Sequence, residues 1–414
     1  MSYLKNSTST QEKERIHSMD SLRATMMILG IILHSAVIYS PLTTQEIGDT
    51  LTLRDPISSN VFNGFIVAFI HSFRLQIFFL VAGFFAALLY YKRSPGKMIK
   101  NRILRILFPF LVFETFLGPI LSYTEQFSIL TLNYVENKLA FSFSGLHIGH
   151  FWFLYYLIII TVLVTGMVYL LKIFSPLSKL MTNLFSKIFS IPLMRIVSFS
   201  CFTGLTYITM ICMIEIMPEK IANFFMPEPF PSEPRIRLIP NPISIIYYSS
   251  FYIFGWFLFK SKEQLNSLKK YDWLSFIIGL GLFIIFFNFE KSMTFIQFLI
   301  LKSIMTWFLI FGIMGIFIRY FSDFSPIWKY VSDSSYWVYL VHMQFCYLIP
   351  CLIFNWKIGS ILKVLIVISL TGLLCIVSYH YLVRNTIIGK FLNGRKYPIQ
   401  KNKNNLIKYR LFKK

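Results

Sequence analysis

Charge is scarce in this chain, and negative charge scarcest: 14% of its 414 residues are charged, with 18 acidic against 40 basic. The same chain is 56% hydrophobic and 18% aromatic. No soluble domain hides that much apolar surface, so lipid is the solvent implied. Five cysteines, Cys201, Cys212, Cys346, Cys351 and Cys375, all fall in apolar stretches without ligand spacing. That excludes a disulfide framework and a cysteine zinc site. There is no glycine-rich phosphate loop with lysine, no Gly-x-Ser-x-Gly elbow and no His-Glu-x-x-His. The soluble acyltransferase pattern, His followed five residues on by Asp, is absent at every histidine. The first twenty residues are polar, and no small-x-small cleavage site follows the first apolar run, which reads as an uncleaved first span.

What is present is a series of long apolar runs. Ten have spanning length: 22–39, 65–91, 103–121, 151–171, 196–216, 244–259, 273–287, 295–318, 335–354 and 361–383. Lysine and arginine orient them. Thirty of the 40 fall on one side when the loops are taken alternately, seven on the other and three within spans. Under the positive-inside rule both termini are cytoplasmic. The expected fold is therefore an all-α polytopic membrane protein of about ten transmembrane helices. It divides into a cytoplasmic segment (1–20), a membrane domain (21–385) and a basic cytoplasmic tail (386–414). The net charge of +22 concentrates at the inner face, so the tail reads as facing anionic lipid rather than nucleic acid. The outer loop 217–243 carries seven prolines, which keep it extended.

Ionisable groups at membrane depth are costly and mark function. In the first run Arg23 is followed by ten residues and then His34. Eleven helical steps put the imidazole about 16 Å above the guanidinium, just past the midplane. In the second run His71 and Arg74 stand three apart and share a helix face, with His71 near the depth of His34. Arg102 and Arg105 likewise share a face at the inner edge of the third run. Glu114, further in, is a midplane carboxylate that is neutral, a partner for Arg74 or a proton acceptor. Asp20 sits beside Arg23 at the inner boundary. His147 and His150 precede Trp152 at the outer mouth of the fourth run. Their spacing suits a metal, but no third ligand stands beside them, and no metal or other cofactor is expected. His342 in the ninth run is placed at a different depth from His34.

This set resembles the membrane-bound acyltransferase family 3. Arg23 and His34 match its Arg-x10-His in the first span; Arg102 and Arg105 match its Arg-x-x-Arg at the start of the third. Within the family the chain is most similar to the glucan biosynthesis protein C group. That likeness is carried by Met19–Ala24, Phe69–Arg74, His150–Leu154 and Tyr339–His342. Two positions depart from the pattern: Ala82 precedes Gly83 where the family often has Ser, and Met343 fills a slot near His342 where it has a second His. The resemblance implies transfer of a succinyl or other short acyl group from a cytoplasmic acyl-CoA, such as succinyl-CoA or acetyl-CoA, to hydroxyls of a periplasmic or surface glucan. It implies a bacterial inner-membrane enzyme whose partners are lipid, acyl-CoA and the polysaccharide. In that chemistry His34 is the base, with His71 second in line and Arg74 an oxyanion or carboxylate ligand. Arg23, Arg102 and Arg105 hold the anionic end of the donor, and His150 and Trp152 lie on the acceptor side. The main rival reading is a secondary transporter of an anionic solute or lipid-linked sugar. That would call for repeated halves and paired broken spans, and no such internal symmetry is evident.

Overall fold

Inside a bilayer a chain must satisfy its own backbone polar groups, and a long apolar run does so as a helix. The computed structural model describes residues 16–42, 53–132, 149–173, 175–216 and 240–394. Among these residues every regular element is helical. In chain order the α-helices are α1 (His17–Val37), α2 (Val61–His71), α3 (Arg74–Lys92), α4 (Pro95–Arg102), α5 (Phe108–Leu132), α6 (Trp152–Ile173) and α7 (Ser175–Ser190). Then come α8 (Pro192–Ile216), α9 (Pro242–Lys260), α10 (Asp272–Phe289), α11 (Phe295–Tyr320), α12 (Pro326–Ile353), α13 (Ser360–Ser378) and α14 (Ile387–Asn393). Among the described residues, nine stretches are long and apolar enough to cross a membrane. They cover nine of the ten expected runs, and the remaining run, 196–216, lies in the 25-residue α8. Large apolar side chains on the outside of the bundle, Phe116, Leu193, Ile327 and Leu352 among them, are 69–75% exposed, as a lipid-facing surface requires.

Helix starts follow local chemistry. Asn60 caps α2 through the Phe62 amide at 2.8 Å, and Asn241 and Ser325 cap α9 and α12 just before a proline. Thr294 and Gln297 form a reciprocal capping box on α11. At the centre α3 and α9 touch backbone to backbone. A Cβ at Gly83 would overlap the Tyr252 carbonyl, and one at Gly255 the Leu80 carbonyl. Glycine is required at this crossing because no side chain fits.

Three features depart from a simple stack of spans. The second run is broken: α2 ends at His71 and α3 starts at Arg74, with Phe73 at φ −140°. There is no proline or glycine here. The Ser72 hydroxyl donates to the Phe69 carbonyl at 2.7 Å, competing for the backbone of the preceding turn. The third run carries a π-helical turn, Ile103–Leu107, between α4 and α5. The amphipathic α7, absent from the sequence expectations, runs between α6 and α8. Its Phe185 and Phe189 are buried, Leu180 and Leu184 are exposed, and Lys260 donates to Thr182 Oγ1 at 2.8 Å. His147, the prolines at 218–234 and the tail beyond 394 lie outside the described residues.

The segment that begins at Leu53 is tied down by a buried ion pair. Lys363 Nζ donates to Asp55 Oδ2 at 2.9 Å and to the Phe354 carbonyl at 3.0 Å, both side chains being essentially inaccessible. Asp55 Oδ1 accepts from the Ile57 and Ser58 amides, and the Asp55 amide donates to the Ile38 carbonyl. Tyr39 O accepts from the Asn60 amide and from Asn63 Nδ2, each at 3.0 Å. This clamp fixes the turn that follows the last residues of α1. Removing one partner leaves the other charge buried and uncompensated, at about 3–5 kcal/mol. Lys363→Met and Asp55→Leu are each expected to lower the thermal unfolding temperature of detergent-purified protein markedly, while the double variant recovers most of the loss. Additive losses in the double variant would show that the pair does not act as a unit.

Candidate active site

His34 lies in the last turn of α1, with its imidazole 4% exposed. It stands three residues before Val37, the last residue of this helix. Two further histidines meet it there. The His150 ring, in the short 3-10 turn before α6, is centred 5.4 Å away, and the His342 ring, on α12, 5.6 Å away. His150 and His342 are 4.7 Å apart. The expectation that His342 occupies a different depth is thus corrected: α12 packs along α1 and brings residues 308 positions apart into one cluster.

The tautomers of two rings follow from their carbonyl partners. His342 Nδ1 lies 2.9 Å from both the Val338 and Tyr339 carbonyls, so it carries the proton and leaves the Nε2 lone pair for the site. His150 Nε2 lies 3.2 Å from the Tyr339 carbonyl, so it is the protonated nitrogen there. Tyr339 in turn donates its hydroxyl to the His150 carbonyl at 3.0 Å. Tyr339 thus holds both rings, a role the sequence did not single out.

Arg74 supplies the fixed charge. Its Nε donates to the Met26 carbonyl of α1 at 2.9 Å, and the side chain is 7% exposed. Gly30, one turn below His34, makes room for it: a Cβ there would come within 2.6 Å of Arg74 Nη2 and 3.3 Å of His342 Nε2. Nothing about an isolated glycine in a helical run identifies it beforehand, except that it sits four residues before His34 and so on the same face. A narrow cavity opens beside these groups, lined by Met27, His34, Arg74, Leu75, Phe78, His150, Trp152, Phe153 and Tyr339. His71 does not line it. His71 closes α2, Arg74 opens α3 beyond the helix break, and His71 is an electrostatic neighbour of His34.

Glu114 is buried and makes no hydrogen bond or ion pair among the described residues, so it is not the partner of Arg74.

The arginines at the other end of α1 divide into two sets. Arg23 pairs with Asp20 at 3.2 Å, donates to Ser332 Oγ at 3.4 Å and lies over the Phe85 ring. Arg102 donates to the Ala82 carbonyl at 3.2 Å and is an electrostatic neighbour of Arg23 and Tyr252. Arg105 instead donates to the Phe391 carbonyl of α14 and packs against Gly394. The π-helical turn begins just after Arg102 and shifts the register, so the i, i+3 spacing no longer puts both cations on one face. Arg23 and Arg102 come together. Arg105 goes to the C-terminal helix.

A family model described as an acyltransferase domain, that of acyltransferase family 3, matches residues 16–380. Glucans biosynthesis protein C of Escherichia coli strain SMS-3-5 / SECEC is 32% identical to this chain over 162 residues, and so is that of strain K12. Each match takes in 36% of this chain and 38% of the relative, well under half of either. No solved structure matches the chain. The family match contains α1 through α13, both arginine pairs and the three clustered histidines, and on it the chain belongs to the membrane acyltransferase family 3.

Proposed function

We propose that this protein is an inner-membrane O-acyltransferase that moves a short acyl group, succinyl or similar, from a cytoplasmic acyl-CoA to a hydroxyl of a periplasmic or surface glucan. The observation that carries this reading is the placement of Arg74 and His34 on one cavity, on the helix that also carries Arg23. Met27 lines the cavity about 10 Å below His34, and Arg23 lies one turn further on. In this proposal a donor with its phosphates at Arg23 and Arg102 extends its acyl arm about 16 Å along α1 to reach His34. Guanidinium suits phosphate because it donates in a fork. The glucan acceptor rests on the family resemblance and on the name of the Escherichia coli relatives.

In the proposed reaction the acceptor hydroxyl oxygen attacks the thioester carbonyl and its proton passes to His34. Arg74 faces the oxygen on which negative charge develops. The tetrahedral intermediate collapses, the carbon–sulfur bond breaks, and the thiolate takes the proton back from His34. The products are the ester and free coenzyme A. A positioned imidazole contributes about 10²- to 10⁴-fold to such a step.

His34→Gln keeps a hydrogen-bonding side chain of similar reach but takes up no proton. Acyl transfer per unit of membrane-inserted protein is expected to fall by about 10² or more, at normal protein levels. Activity above half of wild type in this variant would remove His34 as the base. Gly30→Ala is expected to push the Arg74 guanidinium from its seat while the helices stay in place, so that activity falls at least tenfold with little change in thermal stability. A Gly30→Ala enzyme as active as wild type would show that the position of Arg74 is not critical.

The two inner arginines separate by experiment. Arg102→Ala is expected to raise the KM for acyl-CoA with little effect on the acceptor KM. Arg105→Ala is expected to lower thermal stability through the loss of the α14 contact, with donor KM near wild type. The reverse assignment would follow if Arg105→Ala alone raised the donor KM.

A further inference from the structure

Three imidazoles that meet inside a membrane domain have a second chemical capacity besides proton transfer. We infer that His34, His150 and His342 form a binding site for a divalent transition ion, Zn²⁺ by ligand type, whose occupancy blocks acyl transfer. One ligand nitrogen from each of the three rings lies within 4.8 Å of the other two. Neutral imidazole is a ligand of choice for zinc, and three of them leave a fourth position open for water. The surroundings already have the form that orients metal-binding histidines, in which the non-ligating ring nitrogen donates to a backbone carbonyl. His342 does so through Nδ1 to Val338 and Tyr339, and His150 through Nε2 to Tyr339. His342 Nε2 is buried without a hydrogen-bond partner among the described residues, so its lone pair is directed at the cluster. Two ring orientations are therefore set before any ion arrives.

Arg74 opposes the ion. Its guanidinium is an electrostatic neighbour of all three rings, and a dication beside it is repelled in a medium of low dielectric. Binding is consequently reversible rather than that of a tightly held structural zinc. An ion held there uses the lone pair that a base at His34 needs, so zinc and acceptor proton compete. Only this inhibitory part rests on the acyltransferase reading. The binding part stands without it.

The test uses the untagged full-length protein in detergent micelles, stripped with EDTA and dialysed against Zn²⁺ alone, with no substrates present. Wild type is expected to take up one zinc per chain at sub-millimolar free metal. X-ray absorption is expected to report three imidazole nitrogens at about 2.0–2.1 Å. His150→Gln and His342→Gln are expected to weaken binding at least tenfold. Arg74→Gln is expected to tighten it, a change of opposite sign that misfolding cannot produce. Acyl transfer by the wild type is expected to fall as the site fills and to return with EDTA. Absence of zinc uptake by wild type, fewer than three imidazoles in the absorption spectrum, or unchanged affinity in both histidine variants would each overturn the site. Zinc binding with no acyl transfer under any condition would leave the site standing and overturn the acyltransferase reading instead.

Discussion

A guanidinium enclosed by helices needs a firm seat, because an isolated charge at that depth is among the most costly groups a membrane protein can carry. Arg74 has that seat, and much of the architecture serves it. The break at Ser72-Phe73 makes Arg74 the first residue of a helix rather than a mid-span residue, which turns its side chain toward α1. The Met26 carbonyl accepts from Nε, and the missing side chain at Gly30 leaves room for the rest of the fork. The helix break adds to the local field. The amide-rich N-terminus of α3 carries partial positive charge and lies at the same place as the arginine. The guanidinium and this helix end make the site electropositive, suited to hold an anion that forms and disappears during reaction.

The two ends of α1 differ in a way that suits chemistry across a membrane. At the His17 end, Asp20, Arg23, Ser332 and Arg102 form a polar group in which Arg23 is part-exposed. At the far end the polar groups are buried, and the nearby turn is anchored by Asp55 and Lys363. The clamp bonds directly to the Ile38 and Tyr39 carbonyls, four and five residues past His34. Rigidity at that end keeps the imidazole in register with rings on two other helices. At the first end, by contrast, Arg23 is 36% exposed and free of such enclosure.

The sequence disclosed what depends on local spacing and hid what depends on packing. Arg23 and His34 were legible because a helix converts eleven residues into a fixed distance. The spans were legible because hydropathy acts locally. His342 was misplaced because its depth was reckoned from the end of its own run, whereas its neighbours are chosen by how α12 lies against α1. The separation of Arg102 from Arg105 was hidden by a single π-helical turn, which no proline or glycine announces. The break at Ser72-Phe73 was hidden for the same reason. The amphipathic α7 was passed over because its mixed polarity falls below what a search for spans detects.

The broken second span also bears on the rival reading of a transporter. Discontinuous helices do mark transport sites, but there they come in pairs related by an internal repeat, so that each half contributes one to a central site. Among the described residues α2–α3 is a break whose cause is local, the Ser72 hydroxyl on the Phe69 carbonyl. The groups at this site are those of proton transfer and charge stabilisation: an arginine fixed on a backbone carbonyl, beside two rings whose tautomers are set by carbonyls of α12. A carrier must release what it binds on both sides, and that calls for polar ligands that exchange partners as the halves move. Here Tyr339 locks His150 and His342 to one another through three hydrogen bonds, and Gly30 leaves Arg74 a space with no slack. Such a fixed array costs little reorganisation when charge develops on a bound substrate, which is the condition for catalysis rather than for passage.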